Sequence, residues 1–208
     1  MKGSRSLARE VATLIILVGG ESRRMGWPKH LLPTPYGTLH SYLNHRLGRF
    51  FAETLVVGKD LPEHSSAYRS VLDSRKEQSP LVGIMCGLAA SETDLCFVLA
   101  CDLPFTTPDL VSYVLSLSKG WDVVVPVVRG HYEPLIAAYR KSTCPIIESH
   151  LDQGILKVSS VFRDLAVREV PERDVRRYDR HLSSFTNLNV PPQLRLLSSV
   201  SPPGDASR

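Results

Sequence analysis

No stretch of this 208-residue sequence approaches the about 18 consecutive apolar residues that cross a bilayer, so nothing in it reads as a membrane span. Long runs of Lys and Arg are also missing: the formal charge of +4 is spread along the chain, which argues against a nucleic-acid-binding arm and leaves room for a small anionic substrate. Cys86, Cys96, Cys101 and Cys144 form no C-x-x-C pair and sit mostly in apolar segments, the pattern of buried thiols in a reducing compartment rather than of a disulfide framework or zinc site. Three catalytic fingerprints are absent as well. G-x-x-x-x-G-K-[ST] excludes itself because five residues separate Gly20 from Gly26 and Trp27 follows; G-x-G-x-x-G does not occur; and Ser22 is not framed as G-x-S-x-G. Lys2, Arg5 and Arg9 precede the apolar run "VATLIILV", but Glu10 interrupts that basic flank, no small-residue cleavage site follows, and no apolar stretch succeeds Arg23 and Arg24. A cytoplasmic protein without a leader is the expectation.

What is present alternates between two periods. "VATLIILV" (11–18), "TLVVG" (54–58), "RSVLD" (69–73), "LCFVLACD" (95–102) and "WDVVVPVV" (121–128) are short, apolar and β-branched, as expected of five strands buried on both faces. Residues 38–50, 82–91 and 108–118 carry helical spacing, the last opened by Thr107 and Pro108 as N-cap and first-turn residues. Strand and helix in alternation predict a single α/β domain with a doubly wound, mostly parallel sheet. Beyond Gly130 the order is less regular: "EPLIAAYR" and "LAVREV" read as strands, and 142–151 and 155–164 as helices. No linker divides the chain. The expected organisation is an extension over 1–11, a domain over 12–197 and a frayed tail over 198–208.

In such a sheet, ligands sit beyond the carboxyl ends of the strands, and the turn after the first strand is a frequent phosphate seat. Gly19 and Gly20 occupy that turn, where backbone N–H groups can approach an anion closely, and Arg24 and Lys29 bring cationic donors into the same loop. Taken alone, these residues would equally suit an ordinary glycine-rich turn with exposed bases. Asp102 ends a strand expected to neighbour the first, and Leu103-Pro104 then turns the chain. A carboxylate there is a hard oxygen ligand for Mg²⁺, although a turn residue or helix N-cap would look the same. Metal plus nucleoside triphosphate is the chemistry that the pair suggests. In "RGHYEPL", Arg129, His131 and Glu133 follow the fifth strand, where an acceptor could enter, and Trp27 beside Pro28 could pack or stack on a flat ligand.

The ordered set L-x-G-G-x-S-x-R-M-G-x-x-K-x-L-L (17–32), P-L-x-G-I (80–84), D-x-P (102–104), E-P-L (133–135) and F-x-N-x-N-x-P (185–191) resembles the molybdenum cofactor guanylyltransferases, within the nucleotidyltransferases of Rossmann-like, nucleotide-diphospho-sugar transferase type. The resemblance covers about residues 12–197. It implies Mg²⁺-dependent transfer of GMP from GTP to the terminal phosphate of molybdopterin, with release of pyrophosphate. By the same resemblance, Leu17, Gly19 and Gly20 hold the nucleotide, Lys29 with Arg24 meets its phosphates, Asp102 binds the metal, and Asn187 or Asn189 supports that site. Asp73 falls where the family contacts guanine, and a carboxylate can accept both the N1–H and the amino group of that base. Implied partners are GTP, molybdopterin or the molybdenum cofactor, and the biosynthetic and acceptor proteins that exchange it, with neither nucleic acid nor membrane. Val18 and Ser79 depart from the family's alanine and glycine, Val82 stands where alanine is usual, and "VVGKD" lacks an asparagine that many members carry. The alternatives are a CTP-dependent molybdopterin or sugar-phosphate nucleotidyltransferase, which the related L-A-A-G loop and the absence of a paired donor edge in cytosine argue against, and a non-catalytic nucleotide-binding partner in cofactor delivery.

Overall fold

The structure, a computed structural model, describes residues 11–19, 34, 36–59, 61, 65–73 and 75–188. Strand β1 (Ala12–Leu17) is buried along its whole length, and its side chains divide by the two-residue period of a strand. Leu14, Ile16 and Val18 enter one core and Ile15 and Leu17 the other, so the strand needs a layer on each face. Fully burying a side chain of this size contributes about 1.5–3 kcal/mol before the entropy of ordering it is counted.

Those layers are helical. α1 (Leu39–Leu47) and α3 (Pro108–Ser116) cover one face through Leu43, Leu47, Leu110 and Val114. α2 (Pro80–Ala90) and α4 (Cys144–Asp152), with a 3-10 helix over Val158–Asp164, cover the other through Leu81, Ile84, Leu88, Ile147 and Val161. Glycine makes the contact of α2 with β1 close. A Cβ on Gly87 would lie 2.7 Å from Ile15 Cγ2, and one on Gly83 would lie 3.1 Å from Leu17 Cδ2, so the i, i+4 pair lets the helix settle directly on the strand.

The described residues form one eight-stranded sheet. β1 is central, with β2 (Glu53–Gly58) and β4 (Leu95–Ala100) parallel on either side and β3 (Arg69–Leu72) parallel to β2. Next to β4, β7 (Ile136–Arg140) runs antiparallel and pairs in turn with β5 (Val123–Val128), which is therefore parallel to β1. β6 (His131–Tyr132) folds back on β5, β8 (Val167–Pro171) runs parallel to it, and the short α5 (Glu172–Val175) follows. Where β5 leaves β7 and before it meets β6 stands Pro126, a residue with no N–H to donate.

Two expectations are corrected. Four of the five strands anticipated as buried are so, but β3 lies at the sheet edge with Leu72 59% exposed, because only β2 pairs with it and its Arg69 reaches sideways to the Glu53 carboxylate (2.9 Å) and the Ala90 carbonyl (2.7 Å). Residues 155–164 do not form an α-helix; the tighter 3-10 turns over Val158–Asp164 place Val158 and Val161, three residues apart, toward the core with Phe162 beside them.

Candidate active site

β1 to β5, parallel to one another, end on the same edge of the sheet, and four of the anticipated site residues lie along it. Leu17 closes β1: its carbonyl accepts the Cys101 N–H (3.0 Å), while the next residue, Val18, donates to the Val57 carbonyl (2.8 Å), so the strand is held from both sides up to the turn. Gly19 then takes φ +143°, a conformation that side chains rarely adopt, and is exposed. Val18 itself is a packing choice, since its Cγ2 lies 2.7 Å from where a Cβ of Gly58 would stand.

Asp102 follows β4, directly beside β1, in a turn secured at several points. Leu103 N–H donates to Ala100 O (3.1 Å), the Thr106 hydroxyl donates to Leu103 O (2.9 Å), and the buried Arg46 guanidinium of α1 donates to Pro104 O (2.6 Å). From the far end of the chain, the Leu188 N–H donates to the Asp102 carbonyl itself (2.8 Å). Residues 185–188, the described part of F-x-N-x-N-x-P, are thus brought to D-x-P, with Asn187 next to the contact and exposed. Buried Asp179 fixes that segment: its carboxylate accepts the Ser183 and Ser184 N–H groups (3.0 and 2.7 Å) and the Ser183 hydroxyl (3.0 Å). Burial alone would raise its pKa, but the donors from Ser184 and Ser183 outweigh it and hold the carboxyl below its ordinary value. Buried Ser184 in turn accepts the N–H of Thr107, the N-cap of α3.

Asp73, at the end of β3, donates its N–H to Gly58 O (2.8 Å), and its Oδ1 accepts the Arg75 N–H (3.3 Å), an Asx-type turn that orients the carboxylate. Asp152 and Glu77 in turn hold the Arg75 guanidinium (2.7 and 3.4 Å) and raise its pKa, the hydrogen bond that it donates to Asp152 being the larger cause. Three strand spacings of about 4.8 Å separate the β3 and β4 ends, placing the Asp73 and Asp102 backbones about 14 Å apart. That span accommodates a nucleotide laid along the edge with its base at one carboxylate and its phosphates at the other. Ser79 caps α2 on the Leu81 N–H and donates to Leu156 O (2.6 Å), so the departure from glycine ties the helix start to the opposite loop.

Gly20, Arg24, Lys29 and Asn189 lie outside the described residues. Arg129 (φ +52°) and Gly130 (φ +77°) form the two-residue turn between β5 and β6, and His131 is exposed beyond it. Arg46, Asp179 and Ser184 belong to none of the motifs; a carboxylate four and five residues before consecutive serines is the local signal for the Asp179 cap. Among the described residues no group of three or more His, Cys, Asp or Glu side chains could hold a metal unaided, and no helix is long and apolar enough to cross a membrane. A hard carboxylate in a hydrogen-bonded turn matches the needs of Mg²⁺, which keeps several waters and takes one or two carboxylates plus substrate phosphates.

A family model for the MobA-like NTP transferase domain matches residues 14–169. The chain belongs to that family. The probable molybdenum cofactor guanylyltransferase of Pelotomaculum thermopropionicum is 35% identical over 185 residues, covering 88% of this chain and 90% of its own. The molybdenum cofactor guanylyltransferase of Desulfosudis oleivorans is 31% identical over 188 residues, covering 89% and 93%. Among solved structures, the molybdopterin-guanine dinucleotide biosynthesis protein A of Archaeoglobus fulgidus superposes with a TM-score of 0.75 at 28% identity over 90% of this chain and 97% of that one. This MobA-like chain is a nucleotidyltransferase, and its mostly parallel α/β sheet is the architecture of that neighbour.

Proposed function

We propose that the chain transfers GMP from GTP to the terminal phosphate of molybdopterin, giving the guanine dinucleotide form of the cofactor and pyrophosphate. The observation that carries this reading is the placement of Asp73 and Asp102 on one edge of the sheet, on either side of the Gly19 turn, in a family whose relatives are named as guanylyltransferases. The catalytic domain takes residues 12–197, with 1–11 before it and 198–208 after it, and acts in the cytoplasm.

In this reading Leu17, Gly19 and Gly20 hold the nucleotide by backbone contacts, and Asp73 reads the guanine edge through both carboxylate oxygens. Lys29 and Arg24 neutralise the phosphates. Asp102 would hold Mg²⁺ with support from Asn189, and Asn187 adjoins the Leu188 bond to the Asp102 carbonyl. When bound, the ion supplies charge neutralisation at the triphosphate. An oxygen of the acceptor phosphate attacks the α-phosphorus in line, one P–O bond forms, and the bond to the pyrophosphate oxygen breaks. That oxygen is already ionised near neutral pH, so no general base is needed and the residues act by positioning and electrostatics.

Calorimetric titration with GTP, CTP, ATP and UTP in Mg²⁺, repeated on Asp73→Ala, tests the reading. Selective GTP binding that falls by about tenfold or more in the variant is expected. Preference for CTP, or no triphosphate binding, would overturn it.

A further inference from the structure

One carboxylate on the same edge has no role in the nucleotide site. Glu133 opens the turn that leads into β7, on the side of Asp102 away from Asp73. The antiparallel register of β4 with β7 ends at Leu99 and Ile136, and Ala100 N–H still reaches Leu135 O (3.0 Å), so the turn that Glu133 opens stands where β4 ends, at the carboxyl edge of the sheet. The turn is rigid. Glu133 N–H donates to Pro126 O (2.9 Å), Ile136 N–H donates to Glu133 O (3.2 Å), and the hydroxyl of fully buried Tyr139 donates to Pro134 O (2.8 Å). On this fixed backbone the Glu133 side chain is half-buried, yet its carboxylate takes no hydrogen bond from the described residues. Burial raises its pKa, and His131 and Arg129 only partly oppose that. A half-buried carboxylate that the described residues leave without donors can take a pair of them from a ligand.

Resting on the guanylyl-transfer reading, we propose that Glu133 recognises the acceptor by accepting the ring N–H and the exocyclic amino group of its pterin. A 2-amino-4-oxopteridine presents these two donors side by side, the same edge that guanine offers. Asp73 and Glu133 stand on opposite flanks of Asp102, so the two heterocycles joined by the reaction would be read by the same chemistry at opposite ends of the site. Arg129, near Glu133, places positive charge where the phosphate-bearing acceptor would approach, and His131 adds a hydrogen-bonding ring beside it.

The test uses inhibition of the full-length enzyme, loaded with GTP and Mg²⁺, by a pterin carrying a phosphomonoester side chain and by the matching lumazine. The lumazine has a carbonyl in place of the amino group and cannot donate the pair. The wild type should bind the pterin about tenfold or more tightly than the lumazine, and Glu133→Gln should lose that preference while its GTP affinity stays within twofold. Equal binding of both probes by the wild type, or a preference that survives Glu133→Gln, overturns the inference. Should Glu133→Gln fold poorly, Glu133→Asp must still weaken the preference, since its shorter stem withdraws the carboxylate from the ledge. Selective GTP binding by the wild type in the same preparation separates failure of this inference from failure of the guanylyl-transfer reading.

Discussion

At the scale of single residues, Asp179 serves the fold, while the proposed reading gives Asp102 the metal. Asp179 spends its oxygens on backbone donors and is buried, whereas Asp102 is half-buried and its carbonyl, not its side chain, is what Leu188 engages. In the proposed reading, Asp102→Ala should therefore remove a metal ligand and leave the Leu188 bond to the backbone in place. Transfer in saturating Mg²⁺ is expected to fall by at least about 10²-fold, with the thermal midpoint close to wild type. Turnover near the wild-type rate would exclude Asp102 from the metal site.

Among the elements, α2 depends most on a residue that sequence pattern undervalues. Its glycines look like poor helix formers, since Gly costs about 1 kcal/mol against Ala within a helix. Packing reverses that preference: Gly87→Ala would push a Cβ against the Ile15 side chain in a fully buried contact. Overpacking costs typically about 1–3 kcal/mol, so a net loss of about 1 kcal/mol is expected in urea unfolding. A gain would show that the helix can lift from β1. The same comparison explains what the sequence disclosed about the elements. β1, β4 and β5 announced themselves because burial on both faces demands continuous apolar runs. β3 was recognised as a strand but not as an edge, because a four-residue run carries no information about how many neighbours it has. The antiparallel direction of β7 was equally hidden, since direction is set by the path of the chain rather than by side-chain period.

For the whole molecule, the candidate site was legible where short motifs carry distinct chemistry, as at Gly19, Asp73 and Asp102. Its supports were not. Arg46 lies 58 residues from the Pro104 carbonyl it holds and Ser184 lies 77 from Thr107, distances over which a linear reading has no local cue. The Asp179 cap also gives global stability a pH dependence. Its folded pKa lies below the unfolded value, so its contribution is present in full above the ordinary carboxylate range near about 4 and is lost as pH falls through the folded pKa. Urea unfolding of wild type and Asp179→Asn should differ by about 1–3 kcal/mol near neutral pH and converge on acidification below about pH 4. A difference that stays constant down to pH 3 would mean that the carboxylate is not what the turn requires.

The bond from Leu188 to the Asp102 carbonyl joins the closing stretch of the described chain to the middle of the catalytic edge. Every strand of the sheet precedes that stretch, so the sheet can be complete while the site is not. Release of residues 183–188 alone, by local opening or by a protease, would leave a folded β-sheet with a silent active site. Activity in this protein is therefore a more sensitive gauge of damage than secondary-structure content, and it should decline first.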